Sequence, residues 1–216
     1  MTIKAFIFDL DGTLLNTISD LSDSINLALD RFGYPHFTDK EVMLKVGNGM
    51  KLLIQRCIPE EKQTEEHVLE VLRIFLDEYK IHQMDKTAPY PGIVELLKEL
   101  NQKDIKCGVI SNKQNPNTQS IIKHFFSDID FTFVSGEVAG ISPKPNPTLT
   151  LRCIQAMKLD PDDILYVGDT KVDIATGHNA GLKTVGVTWG FRDRKELVDN
   201  HADYLIDHPS ELLKLL

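Results

Sequence analysis

The chain opens with an unbroken apolar run at residues 5–8, Ala-Phe-Ile-Phe, that stops abruptly at Asp9, Asp11, Gly12 and Thr13. A run this short and this apolar reads as a strand buried on both faces. The period then changes. Ile18, Leu21, Ile25, Ala28, Leu29 and Phe32 recur at helical spacing, and Gly33 stands where that helix would end. Thr38-Asp39-Lys40-Glu41 has the form of a capping box and predicts a second helix, stopping near Gly47-Asn48-Gly49. A third runs from Met50 to the break at Pro59, and a fourth covers residues 65–81 with Val68, Leu72, Phe75, Leu76 and Tyr79 on its inner face. Four helices in succession without a strand predict a helical bundle.

From Pro89 the pattern alternates. A helix carrying Ile93, Leu96, Leu97 and Leu100 leads into a strand over 105–110 that is expected to stop at Ser111-Asn112. A helix over 117–126 and a strand over 131–134 follow. The helix after Pro147 precedes a strand over 164–167, which stops at Gly168-Asp169. The remainder reads as a helix over 172–179, a strand over 184–187, a short helix over 194–200, an edge strand over 204–206 and a closing helix from Ser210. This alternation predicts an α/β fold with a doubly wound, mainly parallel sheet. The first strand belongs to that sheet but is separated from the second by the helical stretch. The expected organisation is therefore an α/β core of residues 1–15 and 87–216 with an inserted all-helical domain at 16–86, its two ends acting as paired hinge strands.

Composition narrows the function. Of 216 residues, 42% are hydrophobic and 26% charged, as expected of a globular protein with a full core. The net charge of −8 disfavours a nucleic-acid binder, which needs a basic face to displace counterions. No apolar run approaches the ~18 residues of a membrane span. Met1-Thr2-Ile3-Lys4 runs into the first strand without signal-peptide features. Cys57, Cys107 and Cys153 are odd in number and widely spaced, which suits buried thiols in a reducing cytoplasm. The seven histidines lack ligand spacing, and only His178 falls near a candidate motif.

In an open α/β sheet, ligands bind beyond the carboxyl ends of the strands. The polar groups expected there are Asp9 and Asp11, Ser111 and Asn112, Ser135, and Asp169. Asp173 lies four residues after Asp169, so in a helix both carboxylates share a side. Two carboxylates about 4 Å apart repel by roughly 4 kcal/mol at an effective dielectric near 20, so gathering them requires a cation, a proton or a base. Carboxylates with water and a substrate phosphate form the oxygen set that Mg²⁺ prefers. Lys144, within Ser142-Pro143-Lys144-Pro145-Asn146-Pro147, is held in a proline-stiffened loop suited to gripping a phosphate or carboxylate oxygen.

Taken together these residues resemble the haloacid dehalogenase superfamily over nearly the whole chain. Asp9-Leu10-Asp11-Gly12-Thr13 looks like its first motif, Ser111 its second, Lys144 before Pro145 its third, and Gly168-Asp169-Thr170 with Asp173 its fourth. The helical insertion resembles the superfamily's C1 cap. The loop Val46-Gly47-Asn48-Gly49 and the run Lys144-Pro145-Asn146-Pro147 look most like phosphoglycolate phosphatases. The resemblance implies a Mg²⁺-dependent phosphomonoesterase acting on a small phosphorylated metabolite, with 2-phosphoglycolate leading. It implies Asp9 as nucleophile, Asp11 as general acid and base, and Ser111 with the Asn112 N–H on a phosphoryl oxygen. Lys144 would neutralise Asp9 and the phosphate. Mg²⁺ would be held by the Asp9 carboxylate, the Asp11 carbonyl and Asp169, with Asp173 acting through water. Gly47, Asn48, Gly49 and Lys51 are the candidate substrate contacts.

Other readings stay open at this level. A sugar-phosphate mutase of the same superfamily would place an arginine in the cap loop, and residues 45–51 offer lysines instead. A pyrophosphatase fits the same motifs. A non-hydrolytic phosphoacceptor module shares the acidic pocket and the lysine, but has neither the helical insertion nor a second carboxylate two residues after the first.

Overall fold

The structure is a computed structural model and describes residues 2–47 and 49–216. In chain order it begins with β1 (Ala5–Phe8), β2 (Leu15–Asn16), α1 (Ile18–Asp30), α2 (Asp39–Lys45), α3 (Met50–Cys57), α4 (Glu65–His82) and β3 (Ala88–Pro89). It continues with α5 (Ile93–Gln102), β4 (Lys106–Gln114), α6 (Asn115–Phe125), β5 (Phe133–Glu137), α7 (Thr148–Met157), β6 (Ile164–Gly168), α8 (Lys171–Asn179), β7 (Lys183–Val187), α9 (Arg194–Asp199) and β8 (Tyr204–Ile206). Short 3₁₀ turns occupy Glu60–Lys62, Pro161–Asp163 and Pro209–Leu215. The chain divides into two compact units, Met1–Leu15 with Pro89–Leu216, and Asn16–Ala88.

The first unit is built on a six-stranded sheet of order β5-β4-β1-β6-β7-β8 in which every neighbouring pair is parallel. The fold is thus the doubly wound α/β sheet that the alternation predicts. Central β1 obeys the two-residue period of a strand. Ala5 and Ile7 join Ile110, Tyr166 and the α7 residues Leu149, Cys153, Ile154 and Met157 in one buried cluster. Phe6 and Phe8 alternate with them, their rings 5.9 Å apart. Because β1 lies between β4 and β6, the ends of these three strands are adjacent whatever their separation in sequence.

Several boundaries differ from expectation. The second sheet strand does not stop at Ser111-Asn112 but continues to Gln114, with a register shift against β5 between Ile110 and Gln114. A break of this kind lets the strand carry polar side chains onward while the ladder resumes. Strand β5 begins at Phe133 rather than at 131, led in by Thr132 N–H donating to the Cys107 carbonyl at 2.8 Å. Helix α6 begins two residues early because Pro116 fits a first turn. The closing segment is 3₁₀ rather than α, with Glu211 N–H donating to the His208 carbonyl three residues back. The two-residue strands β2 and β3, a sheet of their own, are too short to show as a pattern.

In the second unit α1 packs on α4. Leu21, Ile25, Ala28 and Leu29 are buried on α1, and Val68, Val71, Phe75 and Tyr79 on α4. Val71 takes an inward position expected of Leu72 and Leu76, which are only half-buried. The capping box at α2 is formed, Thr38 Oγ1 accepting from Glu41 N–H and Glu41 Oε2 from Thr38 N–H.

A buried carboxylate ties this unit together. Asp20, 1% exposed in the first turn of α1, accepts from the backbone N–H groups of Lys86 at 2.9 Å and Thr87 at 2.8 Å. Stripping a buried donor of its acceptor costs about 1–3 kcal/mol. Asp20→Ala is therefore expected to lower the unfolding free energy by about 2–3 kcal/mol in urea titration, and Asp20→Asn, which keeps one acceptor oxygen, by less. A loss under about 0.5 kcal/mol for Asp20→Ala would contradict this reading.

Candidate functional site

The first residue past β1 is Asp9, whose N–H still donates to the Val167 carbonyl of β6 at 2.9 Å. Its carboxylate is therefore fixed at the carboxyl end of the sheet, between the ends of β4 and β6. Lys144 meets it there from the loop between β5 and α7. The Lys144 Nζ donates to Asp9 Oδ1 at 2.6 Å and to Asp173 Oδ1 at 2.7 Å, and all three side chains are buried. Asn112 holds this loop in place, its Oδ1 accepting from Lys144 N–H at 2.7 Å and its Nδ2 donating to the Lys144 carbonyl at 3.3 Å.

Asp169 and Asp173 reach the site by different routes. Asp169 sits between β6 and α8 and is not helical, so the shared helical face expected from their spacing is not what joins them. Asp173 lies in the first turn of α8, and its Oδ2 caps that helix by accepting from Thr170 N–H at 3.1 Å and Thr170 Oγ1 at 2.7 Å. Asp169 Oδ2 accepts from Phe191 N–H at 2.7 Å, and Oδ1 from Thr13 Oγ1 at 3.1 Å. Two glycines make room for it. Gly12 has φ +90° and a Cβ there would stand 2.3 Å from Asp169 Oδ2, while one at Gly190 would stand 2.2 Å from Asp169 Cβ.

Asp11 faces elsewhere. Its Oδ2 accepts from Ser111 Oγ at 3.5 Å, and Lys113 Nζ lies 3.1 Å from its Oδ1. The expected residues Asp9, Asp11, Ser111, Asn112, Lys144, Asp169 and Asp173 thus gather around the ends of β1, β4 and β6. Ser135 lies in the middle of β5, which runs on to Glu137 rather than stopping at 134, and turns its hydroxyl to the Gly136 carbonyl. His178 pairs with Asp203 at 3.1 Å. Of the candidate substrate contacts, Gly47 (φ 123°), Gly49 (φ 91°) and Lys51 belong to the helical unit, and Asn48 lies outside the described residues. Gly49 caps the start of α3, and Lys51 Nζ pairs with Glu65 Oε1 at 2.6 Å.

Crowding shifts the ionisation of the site. Burial raises the Asp169 carboxyl to about 7, assisted by Asp173 and opposed by the Phe191 N–H, Thr13 and Lys144. Asp9 also lies well above the usual carboxylate range, through burial first and then Asp173 and Asp169, against the pull of Lys144. For Lys144 burial works against the charge, but Asp173 and Asp9 outweigh it and hold the ammonium well above its ordinary value.

Asp9, Asp169 and Asp173 each offer one oxygen, and these atoms lie within 4.8 Å of one another. They are hard, buried donors of the type a small divalent cation takes. With all four carboxylates ionised, the two ammoniums of Lys144 and Lys113 would leave two negative charges, which one such cation would match while displacing the proton that crowding otherwise retains. Pattern reading missed Lys113, the Phe191 N–H and Gly190. The capping spacing of Thr170 and Asp173 was legible; the alternation that sets Lys113 on the same side of its strand as Ser111 was not, because the strand was expected to stop at Ser111-Asn112.

Known proteins are similar to this chain over nearly its whole length. A family described as haloacid dehalogenase-like hydrolase matches residues 6–187. The phosphoglycolate phosphatase of Mannheimia succiniciproducens is 31% identical over 215 residues, 97% of this chain and 96% of the relative. That of Haemophilus influenzae strain Rd is 32% identical with the same coverage. A solved structure from Lactobacillus delbrueckii subsp. bulgaricus, put forward as a phosphoglycolate phosphatase, superposes with a TM-score of 0.93 at 34% identity, covering 98% of this chain and 97% of that one.

The raised carboxyl of Asp169 fixes a pH dependence. Between its ordinary value of 3.8 and about 7, the folded metal-free protein holds a proton at Asp169 that the unfolded chain has released. The contribution of this one group to stability is therefore expected to fall as pH rises through that window, by up to about 1.4 kcal/mol per pH unit. Asp169→Asn is expected to remove one proton's worth of slope from urea midpoints measured in chelator between pH 5 and 7. An unchanged slope would show that Asp169 does not carry that proton.

Proposed function

Since the chain belongs to the haloacid dehalogenase-like hydrolase family and is a phosphatase of it, we propose that it is a Mg²⁺-dependent phosphomonoester hydrolase working through an aspartyl phosphate, with 2-phosphoglycolate as its leading substrate. The observation that carries this reading is the buried contact of Lys144 with Asp9 at 2.6 Å, beside Asp169 and Asp173. An ammonium fixed on one carboxylate oxygen, in a buried site, is what a nucleophile facing a phosphate dianion requires. The substrate assignment rests on the names of the full-length relatives.

In the first half-reaction a carboxylate oxygen of Asp9 attacks phosphorus, the bond from phosphorus to the ester oxygen breaks, and Asp11 gives its proton to the departing alkoxide. In the second, water attacks the phosphoryl group and returns a proton to Asp11. The bond to Asp9 breaks, and inorganic phosphate leaves. Ser111 and the Asn112 N–H would bind a phosphoryl oxygen, and Lys144 would hold charge on Asp9 and the phosphate through both steps. Mg²⁺, held by Asp9, Asp169 and the Asp11 carbonyl with Asp173 in support, would offset the negative charge of the bound phosphate. The helical unit carries the proposed specificity residues Gly47, Asn48, Gly49 and Lys51. Phosphoryl transfer asks mainly for such positioning and electrostatics.

Asp9→Asn is expected to reduce phosphate release from 2-phosphoglycolate to under about 1% of wild type, consistent with loss of a covalent nucleophile. EDTA should abolish turnover and added Mg²⁺ restore it. Substantial turnover by Asp9→Asn would remove Asp9 from this role, and activity persisting in chelator would remove the metal. Ranking phosphate esters by kcat/KM tests the substrate, and a sugar phosphate isomerised without phosphate release would indicate a mutase instead.

A further inference from the structure

The lysine at position 113 has no part in the scheme above, yet its side chain is fully buried. An ammonium is taken out of water only where an opposite charge compensates it. Its Nζ lies 3.1 Å from Asp11 Oδ1, and that oxygen, itself buried, accepts no hydrogen bond among the described residues. The compensation at Oδ1 is one of charge. The other oxygen, Oδ2, takes the Ser111 hydroxyl at 3.5 Å.

The backbone explains how both reach one carboxylate. Ser111 and Lys113 are two apart on β4, so their side chains fall on one side of the strand while Asn112 between them turns to the Lys144 loop. The strand is fixed locally by Lys113 N–H donating to Ser111 Oγ at 3.1 Å and by Thr118 Oγ1 donating to the Lys113 carbonyl at 3.3 Å. The two residues thereby hold Asp11 apart from the cluster of Asp9, Asp169 and Asp173.

We propose that Lys113 is a positioning residue that holds the Asp11 carboxylate, through the buried ion pair at Oδ1, in the orientation from which it serves the leaving oxygen. This rests on the acid role given to Asp11 above. A carboxyl free to rotate away from that orientation would be lost to proton transfer even with every other group in place, and displacement of about 1 Å is worth up to about 10²-fold in rate. The loss should depend on the leaving group. An alkoxide needs the proton as its bond to phosphorus breaks, whereas p-nitrophenolate departs without one.

The test compares kcat/KM, which reports transfer to Asp9, for 2-phosphoglycolate and p-nitrophenyl phosphate in the wild type, Asp11→Asn, Lys113→Met, Lys113→Gln and the double variant Asp11→Asn/Lys113→Met, all loaded with Mg²⁺. Lys113→Met and Lys113→Gln are expected to lose about 10²-fold on 2-phosphoglycolate and under about threefold on p-nitrophenyl phosphate. The double variant should be no slower than Asp11→Asn alone, since Lys113 then has nothing to position. Equal losses on both esters, a loss confined to KM, or additive losses in the double variant would overturn the proposal in favour of direct contact between Lys113 and substrate. Failure of both Lys113 variants to fold, while the doubly neutral variant folds, would overturn it in favour of a purely structural pair. If Asp11→Asn itself lost activity equally on both esters, the acid role of Asp11 would fall instead.

Discussion

Lys144 reaches two carboxylates at once, Asp9 at 2.6 Å and Asp173 at 2.7 Å, and the rest of the site is arranged around that contact. Each pair of like charges some 4 Å apart costs roughly 4 kcal/mol at an effective dielectric near 20, and burial adds to it. A fixed ammonium between two of the three clustered acids is what lets a folded chain keep them together. The sheet makes the gathering unavoidable, because β1 lies between β4 and β6 and their carboxyl ends are neighbours. Once Asp9 follows β1 and Asp169 follows β6, only their orientation remains to be set.

Orientation comes from the backbone contacts behind each acid. The Lys144 loop is held by the Asn112 side chain, which clasps both the N–H and the carbonyl of Lys144, and by Asn179 Nδ2 donating to the Pro145 carbonyl at 2.9 Å. A charged group whose main chain is already fixed loses little freedom when it engages a ligand. Asp173 is held by its duty as a helix cap, and Asp169 by the Phe191 N–H and Thr13. Structural bonds and functional placement here are the same bonds.

Much of this was legible in the order of residues. The run at 5–8, the four helices and the later alternation fixed the sheet, because apolar periodicity reports burial directly. Asp9, Ser111 and Asp169 stood where apolar strands gave way to polar residues, and Lys144 in the proline-stiffened loop after the third strand, so topology brought them near one another. The extension of β4 through Lys113 was not legible. Ser-Asn-Lys-Gln is polar and looks like a turn, and what keeps it extended is pairing that resumes at Gln114 with Glu137, a contact distant in sequence. The contribution of Phe191 was hidden for a different reason. A backbone N–H has no letter, and its partner Asp169 lies 22 residues earlier. Val71 displaced Leu72 from the inner face of α4 because the direction of the helix's buried stripe is set by α1, not by side-chain size.

The two buried lysines pair with three of the four aspartates. Lys144 serves Asp9 and Asp173, while Lys113 serves Asp11. Asp169 alone is held by neutral donors, the Phe191 N–H and the Thr13 hydroxyl, and its carboxyl is raised to about 7 by burial and by Asp173. An acid left without a nearby ammonium of its own, yet fixed at both oxygens within a triad of hard donors, gains the most from an added divalent cation. The glycines at 12 and 190 keep its surroundings small, since any side chain there would collide with Asp169 itself. The proposed metal binding and the conformation of the Gly12 turn would therefore be coupled through one carboxylate. That turn joins Asp11 to Thr13, so an ion held as proposed on Asp169 would also fix the backbone from which Asp11 extends.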